Sequence, residues 1–491
     1  MAGFKEIDSP VQMRLYSLTK NRFVFVFVMF CAAFLTTLII GVLGPAAIGH
    51  QSKTAKALGV SSKNFNTGPF VLNSGILTQF NQELWLFCQF QLTGLPAKKD
   101  YKLQRDFHMS VKIMGSAKDT SYKLISHSYH NRSRHLTCTL DACESMVIFH
   151  LGSLNHPSYE VNINLYGLKL PPGVGIRNVV FTFKYFEDQF TQIQIWFRFV
   201  FLVLSFTVTC LFTHSLRKFP VRDWCIEQRW MSALLPLLLL YNNPVFPLTF
   251  LVQSWIPRLF DAIFQVSFFA ALLMFWLCAY HGIRQAERRF LPFYLPKVII
   301  VGLIWATGCT ILSWQEINEV HDPSYQYKID TGHFLGLKIF FFVIAAIYLL
   351  YLLILLVQAF QELKNMPYFD VRIKFLTILM FIVVLISLVA IFTRFGGAVL
   401  QENFVMDVTS SYQNSAEFLA FYGLFNLYLY TMAYVYSPSP RAIQDATIKS
   451  VPSKFSMLGD SDEDVMFQRR NLKKRISAVE EYITDEESVH G

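Results

Sequence analysis

Residues 230–252 read WMSALLPLLLLYNNPVFPLTFLV. The run is apolar, carries no charged side chain, and is long enough to cross a hydrocarbon layer about 30 Å thick. It also holds Pro236, Asn242, Asn243, Pro244 and Pro247. Each proline removes a backbone donor and disturbs the turn before it. At membrane depth the carbonyls so freed must be met by protein groups or by water in a cavity. The stretch therefore predicts a broken membrane helix. Broken helices near the midplane are one way to build a binding site, which makes Asn242, Asn243 and Pro244 candidate cavity residues. A kink whose asparagines are satisfied internally fits the same residues.

Working outward, seven more runs meet the same length criterion: Phe23–Leu43, Thr191–Phe212, Leu259–His281, Lys297–Gln315, His333–Gln358, Phe375–Phe395 and Ser415–Tyr436. The composition agrees. Of 491 residues, 53% are hydrophobic and 16% charged, against about 25% charged in soluble chains. Disorder is excluded for the bulk of such a chain. The flanks alternate in charge. Lys5, Arg14, Lys20 and Arg22 precede the first span, and Arg217, Lys218, Arg222 and Arg229 follow the second. Arg284, Arg288 and Arg289 follow the fourth, and Lys364, Arg372 and Lys374 the sixth, while the opposite loops offer only Arg258 and Lys328. Basic loops stay cytoplasmic, so both termini are predicted there. The net charge of +9 thus reads as membrane anchoring rather than nucleic-acid binding. The first run exceeds the 7–15 residues typical of a signal-peptide core and reads as a retained signal anchor.

The resulting plan has a cytoplasmic N-terminus (1–22), the anchor (23–44), a luminal or extracellular domain (45–190), a seven-helix bundle (191–436) and a disordered cytoplasmic tail (437–491). The large domain reads as β. Leu84, Leu86, Cys88 and Phe90 alternate, as do Val161, Ile163 and Leu165, and period-two alternation marks half-buried strands. Several such strands between turn signals predict a β-sandwich. Asn131–Arg132–Ser133 is a glycosylation sequon on the side that the charge rule selects. Cys88, Cys138 and Cys143 lie in this domain, and an oxidising compartment permits a bridge; Cys88 with Cys138 or Cys143 would staple two strands. His127, His130 and His135 cluster at the sequon, as a pH switch or as exposed loop residues. The domain is net basic and the loops holding Glu316, Glu319, Asp322, Asp330, Glu402 and Asp407 are acidic, which predicts a salt-sensitive docking of one on the other.

Ionisable residues inside spans are functional candidates. Arg198, Asp261, Lys338, Arg394 and Glu417 all fall toward the luminal side, which suggests a polar cavity open to the lumen. Snorkelling basic side chains and ordinary interface carboxylates are the alternative. Asn426, in the middle of the eighth span, is a further cavity candidate or helix–helix glue. No metalloprotease, P-loop or serine-hydrolase motif is present, so the expectation is a non-enzyme without metal or cofactor.

The architecture resembles Wntless and the wider GOLD-domain seven-transmembrane family. The local match is Asn243, Pro244, Phe246 and Pro247, then Phe275–Trp276, then Tyr280–His281–Gly282–Ile283–Arg284. The resemblance implies a GOLD-like luminal sandwich, a receptor-like bundle, and traffic through Golgi, endosomes and plasma membrane. Wntless carries lipidated Wnt proteins with the lipid lodged in its bundle. For this chain the resemblance implies a cargo or ligand receptor for a secreted, lipidated or extracellular protein. Membrane lipid is a second expected partner, and trafficking machinery a third through the tail, where Ser461 and Ser477 flank charge blocks as candidate phosphorylation sites. A G-protein-coupled signalling receptor and a channel or transporter are the alternatives.

Overall fold

The structure is a computed structural model. It describes residues 11–94, 102–116, 122–125, 130–139, 142–252, 254–284, 290–325, 330, 334–362, 370–395, 412 and 414–450. By its contacts the chain divides into two units, Met1–Pro440 and Arg441–Gly491. Of the second unit, the described residues are helical as far as Ser450, and Ser461 and Ser477 lie outside them.

Ten strands build the first part of the large unit. They are β1 (Ile48–Thr54), β2 (Phe70–Asn73), β3 (Leu84–Thr93), β4 (Lys102–Ser116), β5 (Tyr122–Leu124), β6 (His130–Thr139), β7 (Ala142–Cys143), β8 (Met146–Leu151), β9 (Ser158–Tyr166) and β10 (Gly175–Phe186). All pairings are antiparallel. One layer is β1-β10-β3-β8 and the other β2-β9-β4-β6, with short β7 joining them at a corner. The expected alternation holds. Leu84, Leu86, Cys88, Phe90 and Leu92 are buried along β3, and Tyr159, Val161, Ile163 and Leu165 along β9. They meet Phe107, Val111, Phe181 and Phe183 in a single sandwich core. Period-two patterning sends one face of each layer inward, which is why this sequence closes as a sandwich.

One expectation is corrected here. Cys88 does not pair with Cys138 or Cys143; Cys138 bonds to Cys143 and Cys88 is free and buried. Cys138 and Cys143 face each other across the β6–β7 hairpin, with Cα atoms 3.8 Å apart. Cys88 is an inward core residue of β3. Asn131 is exposed on β6.

The helices follow: α1 (Lys20–Val42), α2 (Asp188–Leu216), α3 (Ile226–Tyr241), α4 (Leu248–Leu251), α5 (Ile256–Arg284), α6 (Leu295–His321), α7 (Phe334–Glu362), α8 (Asp370–Phe395), α9 (Ser415–Tyr436) and α10 (Pro440–Ser450). Each of the eight expected spans overlaps helix among the described residues, the third being interrupted between Tyr241 and Leu248. Among the described residues six helices are long and apolar enough to cross a membrane. The other two regions are shorter: α3 has 16 residues, and α8 presents the apolar stretch Lys374–Val389. The chain passes from β10 into α2 with only Glu187 between them, so the bundle begins at Asp188 rather than at Thr191. Phe186 and Phe190 already belong to the bundle core, stacked on each other and reaching Phe418.

The central helix is α9. It is apolar on all sides and buried along most of its length, as such a helix must be. Helix α1 lies against it. A Cβ built on Gly41 would stand 2.6 Å from the Cα of Ala416, so only glycine permits this approach. At the opposite end of the bundle, the segment before α1 is bound to the end of α9. Arg14 N–H donates to the Ser437 carbonyl at 2.8 Å and Ser439 N–H to the Gln12 carbonyl at 2.9 Å, with Met13 and Leu15 buried.

Candidate functional site

The sandwich meets the bundle through buried charges. Glu83, at the start of β3, accepts from Arg258 of α5 and lies 3.1 Å from His150 Nε2 on β8. The other nitrogen of His150 lies 2.9 Å from Glu319 of α6, and its ring stacks on Trp85 at 5.0 Å. Arg258 also lies 3.5 Å from Glu316. Gly152 makes room for that guanidinium, since a Cβ there would be 1.7 Å from Nη1. A second patch joins β6 to the segment after α6. Arg132 and His130 hold Asp322, and Arg134, 1% exposed, holds Asp330 at 3.0 Å and donates to the Ser324 carbonyl at 2.5 Å.

The electrostatics reinforce these contacts. Burial alone would raise the Glu83 carboxyl; Arg258 and His150 outweigh it and hold its pKa below the usual value. Burial disfavours charge on His150, but Glu319 and Glu83 outweigh it and lift its pKa to about 10. Burial likewise opposes charge on Asp322, and the hydrogen bonds from Ser324 and Arg132 bring its pKa down. The expected docking of a basic domain on acidic loops matches Arg132, Arg134 and His130. It is reversed at Glu83–Arg258, where the sandwich supplies the acid.

Below this seam lies the broken third span. Asn242 caps α3, and Asn243 adopts a left-handed φ of 52°, a conformation that asparagine tolerates. The carbonyls that Pro244 and Pro247 leave open are met locally: Leu240 accepts from Asn243 N–H and Asn243 from Phe246 N–H. The two asparagines then part. Asn243 Nδ2 donates to Asp261 Oδ1 at 2.9 Å, while Arg198 grips the same carboxylate with both Nη atoms at 2.8 and 3.1 Å. The Arg198 guanidinium lies 4.0 Å from the Phe246 ring centre and 5.0 Å from that of Tyr422. Asn242 turns inward. It donates to Ser205 at 2.9 Å and to Asn426 at 2.8 Å, and Asn426 donates back at 2.9 Å. Tyr430 completes this closed cluster among α2, α3 and α9.

Two spaces adjoin Arg198. A polar cavity of about 70 Å³ at the seam is lined by Glu83, Gln194, Arg198, Arg258, Asp261 and Glu316 among others. An apolar groove of about 320 Å³ runs between α2 and the broken span, lined in part by Trp196, Phe199, Asn243, Pro244 and Pro247. Arg198 and Phe246 belong to both.

Of the expected cavity residues, the structure brings together Arg198, Asn243 and Pro244, with Asp261 as the partner of the first two. Asn242 and Asn426 are corrected: they line neither of these spaces, because each satisfies the other inside the bundle. Glu417 sits in the first turn of α9, where Asn414 caps the helix, a favourable place for an acid at a positive helix end. Lys338 and Arg394 fall on α7 and α8, but their side chains lie outside those described. The sequence reasoning missed Glu83, His150, Arg134 and Gln194. Glu83 opens the strand that the alternation had already identified, and an acid there would have been the available signal.

A β-sandwich fused to a bundle of membrane-crossing helices, locked by buried ion pairs, defines the class: a multi-pass membrane protein with a GOLD-like domain. Family comparison agrees. Residues 187–440 match the model "Wntless-like, transmembrane domain" and residues 68–186 match "TMEM181, GOLD domain". The chain is 51% identical to "Transmembrane protein 181" of Homo sapiens over 456 residues, 93% of each chain. It is 25% identical to "Protein wntless homolog B" of Xenopus laevis over 345 residues, 64% of this chain and 61% of that protein. The chain belongs to the Wntless-like family that includes transmembrane protein 181.

Proposed function

We propose that this protein is a non-enzymatic cargo receptor or trafficking factor. It moves between Golgi, endosomes and cell surface and binds a secreted, extracellular or lipidated protein with its luminal side. The observation that carries this reading is the seam. The sandwich, which is the large surface offered to the lumen, is joined by buried ion pairs to a cavity whose Arg198 wall continues into the bundle. A ligand held by the sandwich is thereby coupled to the membrane domain. The charge of the flanks supports cytoplasmic termini, and the pairing of Arg14 with Ser437 supports their lying on one side.

The test is proximity labelling with a peroxidase placed in the sandwich of the full-length protein in cells. Enrichment of secreted or surface proteins, reduced when Glu83→Gln loosens the seam, is expected. Recovery of resident membrane proteins alone would overturn the proposal. The signalling-receptor and channel alternatives predict ligand-dependent nucleotide exchange or a reconstituted conductance instead.

A further inference from the structure

The polar cavity at the seam is lined by Glu83, Asp261 and Glu316 and by two arginines, Arg198 and Arg258. Four of these charges are paired off. Both Nη atoms of Arg198 engage Asp261, and Arg258 donates to Glu83. Glu316 is the remainder. It lies 3.5 Å from Arg258, a cation that Glu83 already holds, and makes no hydrogen bond among the described residues. The adjoining His150–Glu319 pair, with His150 held protonated, adds one charge of each sign and leaves the negative excess as it was. A buried charge without a counter-charge is costly.

Gln265 is an independent second observation. Arg258, Asp261 and Gln265 recur at i, i+3 and i+7 along α5, which sets them on one face of the helix. Gln265 is 3% exposed and lines the same cavity, yet its amide has no hydrogen-bond partner among the described residues. The polar atoms of Gln265, and those of Glu316 (8% exposed), still keep a little open surface. On side chains buried this deeply, that surface is the cavity wall. The space, about 70 Å³, has room for an ion with a few waters. It is small against the roughly 300–1,000 Å³ of pockets for organic ligands.

We propose that this cavity binds one monovalent metal cation, sodium being the probe, with the Glu316 carboxylate and the Gln265 amide oxygen as its protein ligands and water as the rest. One positive charge balances the lining, and an amide oxygen is a suitable neutral ligand for a hard cation. A divalent ion draws on several anionic or carbonyl ligands, and among the described residues no three His, Cys, Asp or Glu converge to hold one. Occupied, the site ties α5 to α6 beneath the sandwich. This goes beyond the cargo-receptor proposal and does not depend on it.

The experiment uses the full-length protein in nanodiscs, with sodium chloride exchanged for N-methyl-D-glucamine chloride at constant ionic strength, so that screening of the exposed ion pairs stays fixed. Radioactive sodium should bind saturably, and the thermal midpoint should rise along the same concentration curve. The glucamine cation, too large for the cavity, should do neither. Glu316→Gln removes the excess charge and should abolish saturable binding. In glucamine its midpoint should equal or exceed that of wild type, because a costly buried charge has gone; a lower one overturns the reading of Glu316 as surplus charge. Gln265→Leu keeps the charge and should weaken sodium binding about tenfold, the value of one contact to a charged group. Absence of saturable sodium binding overturns the site, as does a midpoint that follows ionic strength whichever cation supplies it. Sodium binding unchanged in both variants overturns this location. Displacement of sodium by equimolar calcium overturns the monovalent assignment.

Discussion

At the scale of single residues, neighbouring side chains of one type have opposite roles. Asn242 is part of a closed buried cluster, and Asn243 is held to a carboxylate beside a cavity. Replacing Asn242 by Leu takes one hydrogen-bond partner from each of the buried Asn426 and Ser205, so a loss of about 1–3 kcal/mol is expected, read as a lowered thermal midpoint in detergent. Asn426→Leu should cost a similar amount, and the double variant less than the sum, because the partners share one network. The cysteines allow a second residue-scale check. Mass spectrometry of the unreduced protein should find Cys138 linked to Cys143, with Cys88 alkylated only after unfolding. A Cys88-containing bridge would contradict the structure. The sequence could list these side chains and their depth. It could not say which amide meets which, because a one-residue difference in a broken helix changes direction by about 100°.

At the scale of elements, helices α1 and α9 depend on Gly41. Gly41→Val forces a side chain into the Ala416 backbone, and should separate the first helix from the bundle. Accelerated proteolysis near residues 43–47 of the detergent-solubilised protein would report this, with Gly302→Val as the control, since a Cβ there meets nothing. The seam between β3, β8, α5 and α6 has a pH signature. The folded pKa of His150, about 10, stands above the ordinary 6.5. Its contribution is therefore complete below about pH 6.5 and is lost as pH rises through 10. Glu83 is shifted the other way, so its contribution is present above about 4.5 and is lost as pH falls through its lowered value. The seam should be firmest near pH 5–6 and weaken toward pH 9. The difference in thermal midpoint between wild type and His150→Gln should shrink over that range; a constant difference would sink the assignment. Acidification thus tightens this joint. Of the histidines at the sequon, His130 lies 2.9 Å from Asp322 and His135 2.6 Å from Asp106, and His127 lies outside the described residues.

At the scale of the whole molecule, the charge asymmetry becomes a mechanical joint. Its salt dependence follows from exposure. Arg134 and Glu83 are nearly hidden from solvent, whereas Arg132 is 31% exposed, and salt screens exposed pairs far more than buried ones. Arg132→Gln should therefore change the apparent stability by less than 1 kcal/mol. Arg134→Gln, which takes a buried guanidinium away from the Asp330 carboxylate and the Ser324 carbonyl, should cost more, about 3–5 kcal/mol, measured by thermal denaturation at low and high salt. The sequence alone determined the membrane class, the sites of the apolar helices and the alternating strands. Each of these is a local property, set by run length or by a short period along the chain. Tertiary structure alone decided that α9 is the buried centre, that Cys138 takes Cys143, and that Glu83 meets Arg258 across 175 residues. Those choices depend on which faces come together in space. No periodicity along the chain records the partner of a side chain that distance in sequence has separated from it.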